Sequence, residues 1–403
     1  MALEGIELRK VNRRGVTILT TEGRVPYERW ALRPVDRDGA DRLMESHGKR
    51  TVYPLDEFLG LDGAPFKMTR DAALLVARVG ATSDSYKEAA RELSELRGVP
   101  VGATTVRRVT DHVGSAVLER DRGLAASLAE TWDPGSMRFG RVRGRIPRAA
   151  LTLYLQMDGA MLDTKGGGWR ESKLAVAFRS DELVEVAADD GTVGYRLGRR
   201  SYAASVDGID DFRALLLPLA SGAGIADAHN VVILGDGAAW IRKTRDMLFP
   251  SAVLILDLFH LKENVGEFAR FLFADDEDRA SEWATGCNDM LEAGRWREFL
   301  RLDEVARYRD EDTPKGVVNI WRYVWGNRDS IDYPRYVARG YFVGSGAIES
   351  ANRTVMQKRI KQPGMRWREA GAGGVLALRC KLLSGSWQAD VVELIRDTYT
   401  ESA

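Results

Sequence analysis

The chain has 403 residues, and at roughly 150 residues per domain this length predicts two or three domains. Hydrophobic residues make up 44% and charged residues 29%, so the composition supports a buried core and excludes a mainly disordered, collagen-like or low-complexity chain. The 59 basic residues are balanced by 59 acidic residues, and any contact with nucleic acid must therefore come from local clusters of charge.

Cysteine usage and hydropathy narrow the class of protein further. The two cysteines, Cys287 and Cys380, cannot supply a four-cysteine zinc site or a secreted disulfide scaffold. The first ten residues, MALEGIELRK, hold no apolar signal-peptide core, and no stretch approaches the ~18 apolar residues of a membrane span. We therefore expect a cytoplasmic protein with no membrane partner.

Helical periodicity begins at residue 68, after a first region, 1–66, whose role the sequence does not indicate. Two amphipathic helices are followed by Gly98 and by a third helix that starts near Thr104. This spacing is typical of a helix-turn-helix, whose second helix lies in the major groove of DNA, although an ordinary helical hairpin has the same spacing. In the DNA-binding interpretation the exposed residues at the helix start are Thr104, Thr105, Arg107 and Arg108.

A basic linker is predicted over residues 126–150. Its second half carries five arginines and no acid, interrupted by glycine and proline. Such a segment is either a solvated connector or a phosphate-binding arm, and in the second case Arg141 and Arg143 contact DNA.

The hydrophobic pattern changes to that of alternating strands and helices after residue 150. Strands are predicted over 151–157, 173–178, 193–206, 231–234 and 253–256, with helices over 210–220 and 238–248 and a further helix after Asp257. Three strands that can pair as a meander, followed by two strand–helix units, predict a mixed α/β sheet with helices on both faces. This order is the topology of the ribonuclease-H-like fold.

A helical insertion is predicted over residues 271–340, where the rhythm of strands stops. Its first part, 271–312, contains 13 acidic and 6 basic residues, whereas the segment 350–381 contains eight basic residues and one acid. The two segments therefore have opposite charge, and the second is suited to phosphate contacts.

Three acidic residues occupy positions that could bring them together. Asp158 and Asp236 follow the first and fourth predicted strands, which are neighbours in a sheet of this order, and Glu349 lies at the start of the basic helix. Carboxylates without cysteine or histidine favour Mg²⁺ or Mn²⁺, and two such ions about 3.5–4 Å apart support phosphoryl transfer. Each acid taken singly also fits a purely structural role, as a turn residue or as a residue at a helix start.

Five strings resemble those of bacterial insertion-sequence transposases of the DDE type, in the mutator-like branch near the ISKra-type group. They are LQMDGA (155–160), GWRESKLAVAF (168–178), ILGDGAAWI (233–241), FPSAVLILDLFHLKENV (249–265) and GSGAIESANRTVMQKRIKQPGMRWREAGAGGVLALR (344–379). The resemblance covers residues 68–385. It implies that Asp158, Asp236 and Glu349 are the DDE triad, which holds the two metal ions.

The resemblance also extends to an Asp-x-x-His motif, matched here by Asp257 and His260. His260 could position a scissile phosphate or an active-site acid. Its alternative role is structural, as a histidine with satisfied hydrogen bonds beside a capping aspartate. Asp257 also ends an apolar strand and is the rival of Asp236 as second metal ligand. Asp236 is preferred because strand four is the expected neighbour of strand one.

Further DNA contacts follow from the same resemblance. Arg353, Lys358, Arg359 and Lys361 come after Glu349 and are expected to bind phosphates, unless they form only a solvated basic face. Trp283, Trp296, Trp321 and Trp325 in the insertion could stack on flipped bases at a transposon end, although core packing is the commoner role of tryptophan. Many relatives carry a cysteine-rich N-terminal region, which this chain lacks, and no zinc is predicted.

The prediction as a whole is a nucleoid-associated bacterial transposase that binds the terminal inverted repeats of an insertion sequence and cleaves and joins strands of double-stranded DNA. A homo-oligomer on DNA is implied by the family resemblance. The alternatives are a nuclease of the same fold without strand transfer and a domesticated DNA-binding regulator with an unused triad; a small-molecule phosphohydrolase is more distant. The predicted domains are 1–66, 67–125 (helix-turn-helix-like), 126–150 (linker), 151–270 and 341–385 (catalytic core), 271–340 (insertion) and 386–403 (tail).

Overall fold

The computed structural model describes residues 2–3, 5–62, 64–140, 148–166, 168–187 and 193–399. The chain divides into two compact units, of which unit 1 comprises residues 1–119 and 370–403 and unit 2 comprises residues 120–369. No helix among the described residues combines the length and the apolar character needed to cross a bilayer.

Twelve strands are found in the described part of the chain. They are β1 (Ala2–Leu3), β2 (Ile6–Thr20), β3 (Gly23–Pro34), β4 (Trp132–Asp133), β5 (Arg138–Phe139), β6 (Arg148–Thr164), β7 (Gly168–Arg179), β8 (Leu183–Ala187), β9 (Val193–Leu197), β10 (Ser201–Ser205), β11 (Ala228–Gly235) and β12 (Val253–Leu256).

Sixteen α-helices accompany these strands within the described residues. They are α1 (Arg37–His47), α2 (Pro54–Phe58), α3 (Arg70–Thr82), α4 (Tyr86–Arg97), α5 (Ala103–Thr131), α6 (Ile209–Gly222), α7 (Ala239–Leu248), α8 (Leu258–Leu272), α9 (Glu277–Glu292), α10 (Trp296–Phe299), α11 (Asp303–Ala306), α12 (Ile320–Gly326), α13 (Tyr333–Ala338), α14 (Gly346–Ala351), α15 (Glu369–Leu383) and α16 (Glu393–Thr398). A π-helical segment, Asn352–Gln357, directly follows α14.

Unit 1 combines a small sheet with a group of helices. The sheet has the order β1-β2-β3, and its buried end packs around Leu43 and Val52. The side chains of Thr69 and Ser85 cap α3 and α4 by accepting backbone N–H bonds, and Gly98 ends α4 in the left-handed conformation. These are the helices that the periodicity predicts, and the third helix of the set, α5, starts at Ala103 and continues to Thr131.

Unit 2 is built on a five-stranded mixed sheet of order β10-β7-β6-β11-β12. Strands β10, β7 and β6 pair antiparallel, whereas β6, β11 and β12 pair parallel. Apolar residues of these strands, among them Leu155 and Ile233, form a core with Phe212 and Leu216 of α6. The predicted mixed α/β class and the predicted number of sheet strands are confirmed.

Two strand boundaries differ from the sequence prediction. The predicted third strand, 193–206, is two strands, because β9 pairs with β8 in a separate hairpin and β10 pairs with β7. The division falls at Gly198, whose N–H donates to the carbonyl of Glu182, an approach that leaves no room for a side chain. The predicted first strand also continues as far as Thr164. The polar turn expected at 188–192 lies outside the described residues.

Candidate functional site

Asp158 and Asp236 lie at the same edge of the five-stranded sheet. The pairing of β6 with β11 ends at Gln156 and Leu234, while β6 continues beside β7 and carries Asp158 past this point. Asp236 directly follows the last residue of β11. Asp158 is therefore within a strand rather than after one, but the two carboxylates still follow the last paired residues of adjacent parallel strands.

Asp158 is half-buried and held by two hydrogen bonds. Its Oδ1 accepts a bond of 2.7 Å from the N–H of Gly159, and its Oδ2 accepts one from the side-chain amide of Asn352. Burial raises the pKa of the Asp158 carboxyl group above its usual value, and the negative charge of Asp236 acts in the same direction. The order of the strands brings the two carboxylates to the same edge of the sheet.

The turn after β11 fixes Asp236. The Oδ1 of Asp236 accepts a bond of 2.9 Å from the N–H of Ala238, and its backbone carbonyl accepts one of 2.7 Å from the hydroxyl of Tyr323. Gly237 has φ +87°, and a Cβ there would lie 2.8 Å from the Nδ2 of Asn327. Glycine is therefore required between Asp236 and α7, both for the backbone conformation and for space.

Asp257 is fully buried and caps α8. Its Oδ1 accepts a bond of 3.0 Å from the N–H of Phe259, and its own N–H donates to the carbonyl of Gly235 at the end of β11. Its Oδ2 is buried without a hydrogen-bond partner among the described residues. Burial raises the pKa of Asp257, and the charge of Glu349 raises it further.

His260 lies between the acidic residues of the site. Its Nε2 is 3.8 Å from the unpartnered Oδ2 of Asp257, and its Nδ1 is 3.2 Å from an oxygen of Glu263. A positive charge on His260 opposes the rise in pKa at both Asp158 and Asp257. His260 therefore adjoins Asp257 and Glu263, and 37% of its side chain is exposed.

The helix that carries Glu349 is attached to the strand that carries Asp158. The side chain of Gln156 accepts a bond of 3.0 Å from the N–H of Ile348 and donates one of 3.1 Å to the carbonyl of Gly344. One turn after Glu349, Asn352 reaches Asp158. Glu349 itself is exposed and accepts a hydrogen bond from the hydroxyl of Ser345. The polar contacts of Gln156 and Asn352 thus place the third predicted acid at the sheet edge.

The acids approach this edge from three elements. Asp158 and Asp236 follow the last paired residues of adjacent parallel strands, and Glu349 is on the helix that Gln156 and Asn352 attach to β6. Among the residues described, no three His, Cys, Asp or Glu side chains converge closely enough to chelate a metal ion. Two buried oxygens at this edge, Oδ2 of Asp257 and Oδ1 of Asn352, lack hydrogen-bond partners. Such carboxylate and amide oxygens are the donors that Mg²⁺ and Ca²⁺ prefer, so the chemistry of the site fits a hard cation.

The predicted DNA contacts of α5 lie on its first turns. Thr104 and Arg108 are exposed, and Thr105 and Arg107 are half-exposed. The guanidinium of Arg107 forms an ion pair of 3.3 Å with Asp111. All four side chains have the accessibility that a contact with DNA requires, whereas Arg141 and Arg143 lie outside the described residues.

The basic residues after Glu349 differ in exposure. Arg353, Lys358 and Lys361 are exposed. Arg359 is only 1% exposed, and its guanidinium stacks 4.8 Å from the ring centroid of Trp367. The predicted phosphate contact of Arg359 does not fit this buried position against Trp367. Its role in the structure is packing.

The predicted tryptophans separate into two groups. Trp283 packs against Phe268 and Phe273 at 6.1 Å from each, as a core residue does. Trp296, Trp321 and Trp325 instead line a cavity of about 770 Å³. Trp321 and Trp325 stack at 5.4 Å with an interplanar angle of 21°. The sequence indicated these residues as one set, but only three of them share a pocket.

Four arginines and two aspartates also line this tryptophan pocket, although the insertion as a whole has a net negative charge. Arg297 lies 4.2 Å from the ring of Trp296, Arg328 lies 4.6 Å from that of Trp325, and Arg301 and Arg309 also line the cavity. Sequence reasoning missed these arginines because averaging over residues 271–312 hides a local cluster. It also missed Asn352, which its position three residues after Glu349 on a predicted helix could have indicated.

The class defined by this fold and site is a mixed α/β protein with carboxylates, a histidine and an amide gathered at one edge of a five-stranded sheet. The chain belongs to the Uncharacterised protein family (UPF0236), whose family model matches residues 14–393. No curated protein gives a significant match to the chain. Membership places the sequence in a family without assigning it an activity.

Proposed function

We propose that this protein is a DDE-type DNA transposase built on a ribonuclease-H-like sheet. The proposal is carried by the position of Asp158 and Asp236 after the paired ends of adjacent parallel strands, to which Gln156 and Asn352 attach the helix of Glu349 across almost 200 positions of sequence. The strand order, in which the first three strands of the sheet pair antiparallel and the last two parallel, supports the proposed fold. The proposed transposase activity rests on the resemblance of the matched strings to insertion-sequence transposases.

The acids at this edge would hold the metal ions of the reaction. Asp158 and Asp236 are the primary ligands in this proposal, Glu349 completes the triad, and Asn352 adds an amide oxygen beside Asp158. Mg²⁺ or Mn²⁺ bound there, as two ions, would activate water or a 3′-hydroxyl and stabilise the leaving oxygen. Asp257 caps α8 with one oxygen and directs the other toward His260, which suits a positioning role better than that of a primary ligand.

The other polar groups of unit 2 would bind and orient DNA. The exposed side chains of Arg353, Lys358 and Lys361 follow Glu349 closely and would contact phosphates near the scissile bond. The tryptophan pocket offers stacked rings and guanidinium groups to an unpaired base with its phosphate. The substrate is double-stranded DNA with the terminal repeats of an insertion sequence, and a homo-oligomer on the bacterial nucleoid would hold two ends together.

The test is a cleavage and joining assay on the DNA that flanks the protein's own gene. Purified protein, Mn²⁺ and that DNA should yield discrete 3′ ends, and a pre-cleaved end should be joined to a target duplex. Asp158→Asn and Asp236→Asn should each reduce both reactions by at least about 100-fold while DNA binding is retained, because the charge that holds the metal is lost. Asp210→Asn, at a side chain that is 90% exposed, is the matched control and should be fully active.

The two alternatives give different outcomes in the same assay. A nuclease of this fold would produce 3′ ends but would not join a pre-cleaved end. A DNA-binding regulator with an unused triad would bind DNA, and Asp236→Asn would leave every measured property unchanged. Either outcome would contradict the proposed transposase.

A further inference from the structure

The β2–β3 ribbon of unit 1 presents a long basic surface in a region to which the sequence assigns no role. Strand β2 has 15 residues, so the ribbon is roughly 50 Å long at about 3.3 Å per residue. One end is fixed by the buried residues Ile6 and Leu8, and the other by Leu19, whose N–H donates to the carbonyl of Lys67. All seven residues of β2 from 9 to 15 are exposed between these anchors. Strand β2 is therefore supported at both ends and exposed in its middle.

The open part of β2 is basic. Residues 9–14 read RKVNRR and contain four basic side chains and no acid. Arg13 pairs with Glu28 at 2.7 Å, but no acidic partner is found among the described residues for Arg9, Lys10 or Arg14. Three positive charges are thus available on one stretch of strand.

A β-bulge at Val11 determines which of these side chains share a face. Lys10 pairs with Leu32 and Asn12 pairs with Ala31, so Val11 is an extra residue on β2. Without it, Arg9 and Arg14 would point to opposite faces, because side chains alternate along a strand. With it, Arg9, Asn12 and Arg14 lie on one face.

The same register places like charges directly opposite each other. Arg9 faces Arg33, and Arg14 faces Arg29. Like charges in such cross-strand positions destabilise a sheet. Asp56 neutralises Arg29 and so relieves its repulsion with Arg14, whereas Arg33 bonds to the uncharged hydroxyl of Thr51. A bound anion would remove the remaining repulsion between Arg9 and Arg33.

We propose that the exposed middle of β2 is a binding surface for double-stranded DNA, with Arg9, Asn12 and Arg14 on one face, Arg33 opposite Arg9, and Lys10 on the other face. Arginine and asparagine are side chains that bond phosphates and base edges. Because Tyr53 and Asp56 cover β3 at Arg29, the contact runs along β2. A second copy of the chain is a poorer occupant of the free edge of β2, because two such edges would bring their basic residues together. The inference deepens the proposed function by giving unit 1 its own DNA contact.

The test measures binding alone, without metal, on the full-length protein. A fluorescent random-sequence duplex of about 30 base pairs is titrated in EDTA at several salt concentrations. Arg9→Ala/Lys10→Ala/Arg14→Ala should weaken binding at least about tenfold near 0.1 M salt, and the slope of log K against log salt should fall by about 2–3, close to one per lost phosphate contact. The control, Arg37→Ala/Arg335→Ala/Arg339→Ala, removes the same charge from exposed positions elsewhere and should bind like the wild type.

Two further measurements make the result decisive. Arg9→Lys/Arg14→Lys keeps the charge, so it should bind within about threefold of the wild type, and it provides a folded reference if the alanine variant is unstable. Equal affinity and equal salt slope for wild type and alanine variant would overturn the proposal, as would a wild type that binds anionic vesicles but not DNA. Asp158→Asn should bind DNA normally, so loss of cleavage in that variant tests the proposed function independently of the ribbon.

Discussion

Asn352 joins the helix of Glu349 to the strand of Asp158, and its side chain provides a sharp test of the site. Its amide donates to Asp158 while its Oδ1 stays unpartnered. Asn352→Ala removes the group that orients the carboxylate, and the loss of such an outer partner typically costs 10–100-fold in metal affinity. We expect the Mn²⁺ concentration that half-saturates thermal stabilisation to rise by about that factor. The exposed Gln357→Ala in the next turn is the control, and an unchanged Mn²⁺ midpoint in Asn352→Ala would contradict the positioning role.

The two cysteines allow a second prediction, on reactivity. Both are buried, and burial raises the pKa of the Cys287 thiol to about 12. The thiolate is the reactive form, so native protein at pH 8 should react with neither cysteine on the timescale of minutes, whereas two thiols should react in denaturant. Titration with a coloured disulfide reagent measures the number of reactive thiols in the native and in the denatured protein. Rapid labelling of the native protein would show that the helical region around Cys287 opens readily.

The individual acids were predictable, but the contacts that unite them were not. Asp158 and Asp236 stand beside glycines after apolar strands, which is a local pattern that a sequence displays. Gln156 bonds backbone groups 188 and 192 residues away, and no local pattern encodes such a distance. The burial of Arg359 was missed for the same reason, since it depends on the tertiary contact with Trp367.

The crossing of α5 and α15 in unit 1 depends on two glycines. A Cβ on Gly114 would lie 2.6 Å from the backbone carbonyl of Gly374, and the backbone of neither helix can yield without moving the other. We expect Gly114→Ala to destabilise the protein by about 1–3 kcal/mol, as overpacking of a core does. Gly123→Ala in the same helix meets nothing within 4 Å and should instead stabilise by about 0.5–1 kcal/mol. Urea denaturation compares the two, and equal effects would show that the crossing is not tight.

Elements with strong periodicity were predicted well, and elements that depend on pairing were not. The apolar strands β11 and β12 and helices α6–α8 agree with the sequence pattern to within a few residues. The long β2–β3 hairpin was missed because its middle is exposed on β2 and offers no apolar alternation. The division of the predicted third strand at Gly198 depends on the carbonyl of Glu182, sixteen positions earlier, and therefore on tertiary contact rather than propensity.

Residues 391–399 contribute to the core of unit 1, although the sequence indicated only a tail over 386–403. Val391, Ile395 and Tyr399 are buried, and the Tyr399 hydroxyl donates a bond of 3.0 Å to the carbonyl of Met68, 331 positions earlier. The two ends of the sequence therefore complete one compact unit, while the core around the β6–β11 pair of unit 2 is formed by residues of that unit alone. Length and composition predict several domains but cannot show that one of them is assembled from both ends.

This arrangement predicts that removal of residues 386–403 unfolds unit 1 selectively. The truncation uncovers three buried side chains at roughly 1.5–3 kcal/mol each, which is a large part of the stability of a domain. Hydrogen exchange should show lost protection in α3 and α4, with β6 and β11 still protected because their core lies within unit 2. Tyr399→Phe, which removes only the hydroxyl, should cost about 0.5–1.5 kcal/mol and leave both units folded. Full protection of α3 and α4 in the truncated chain would show that these terminal residues do not hold unit 1 together.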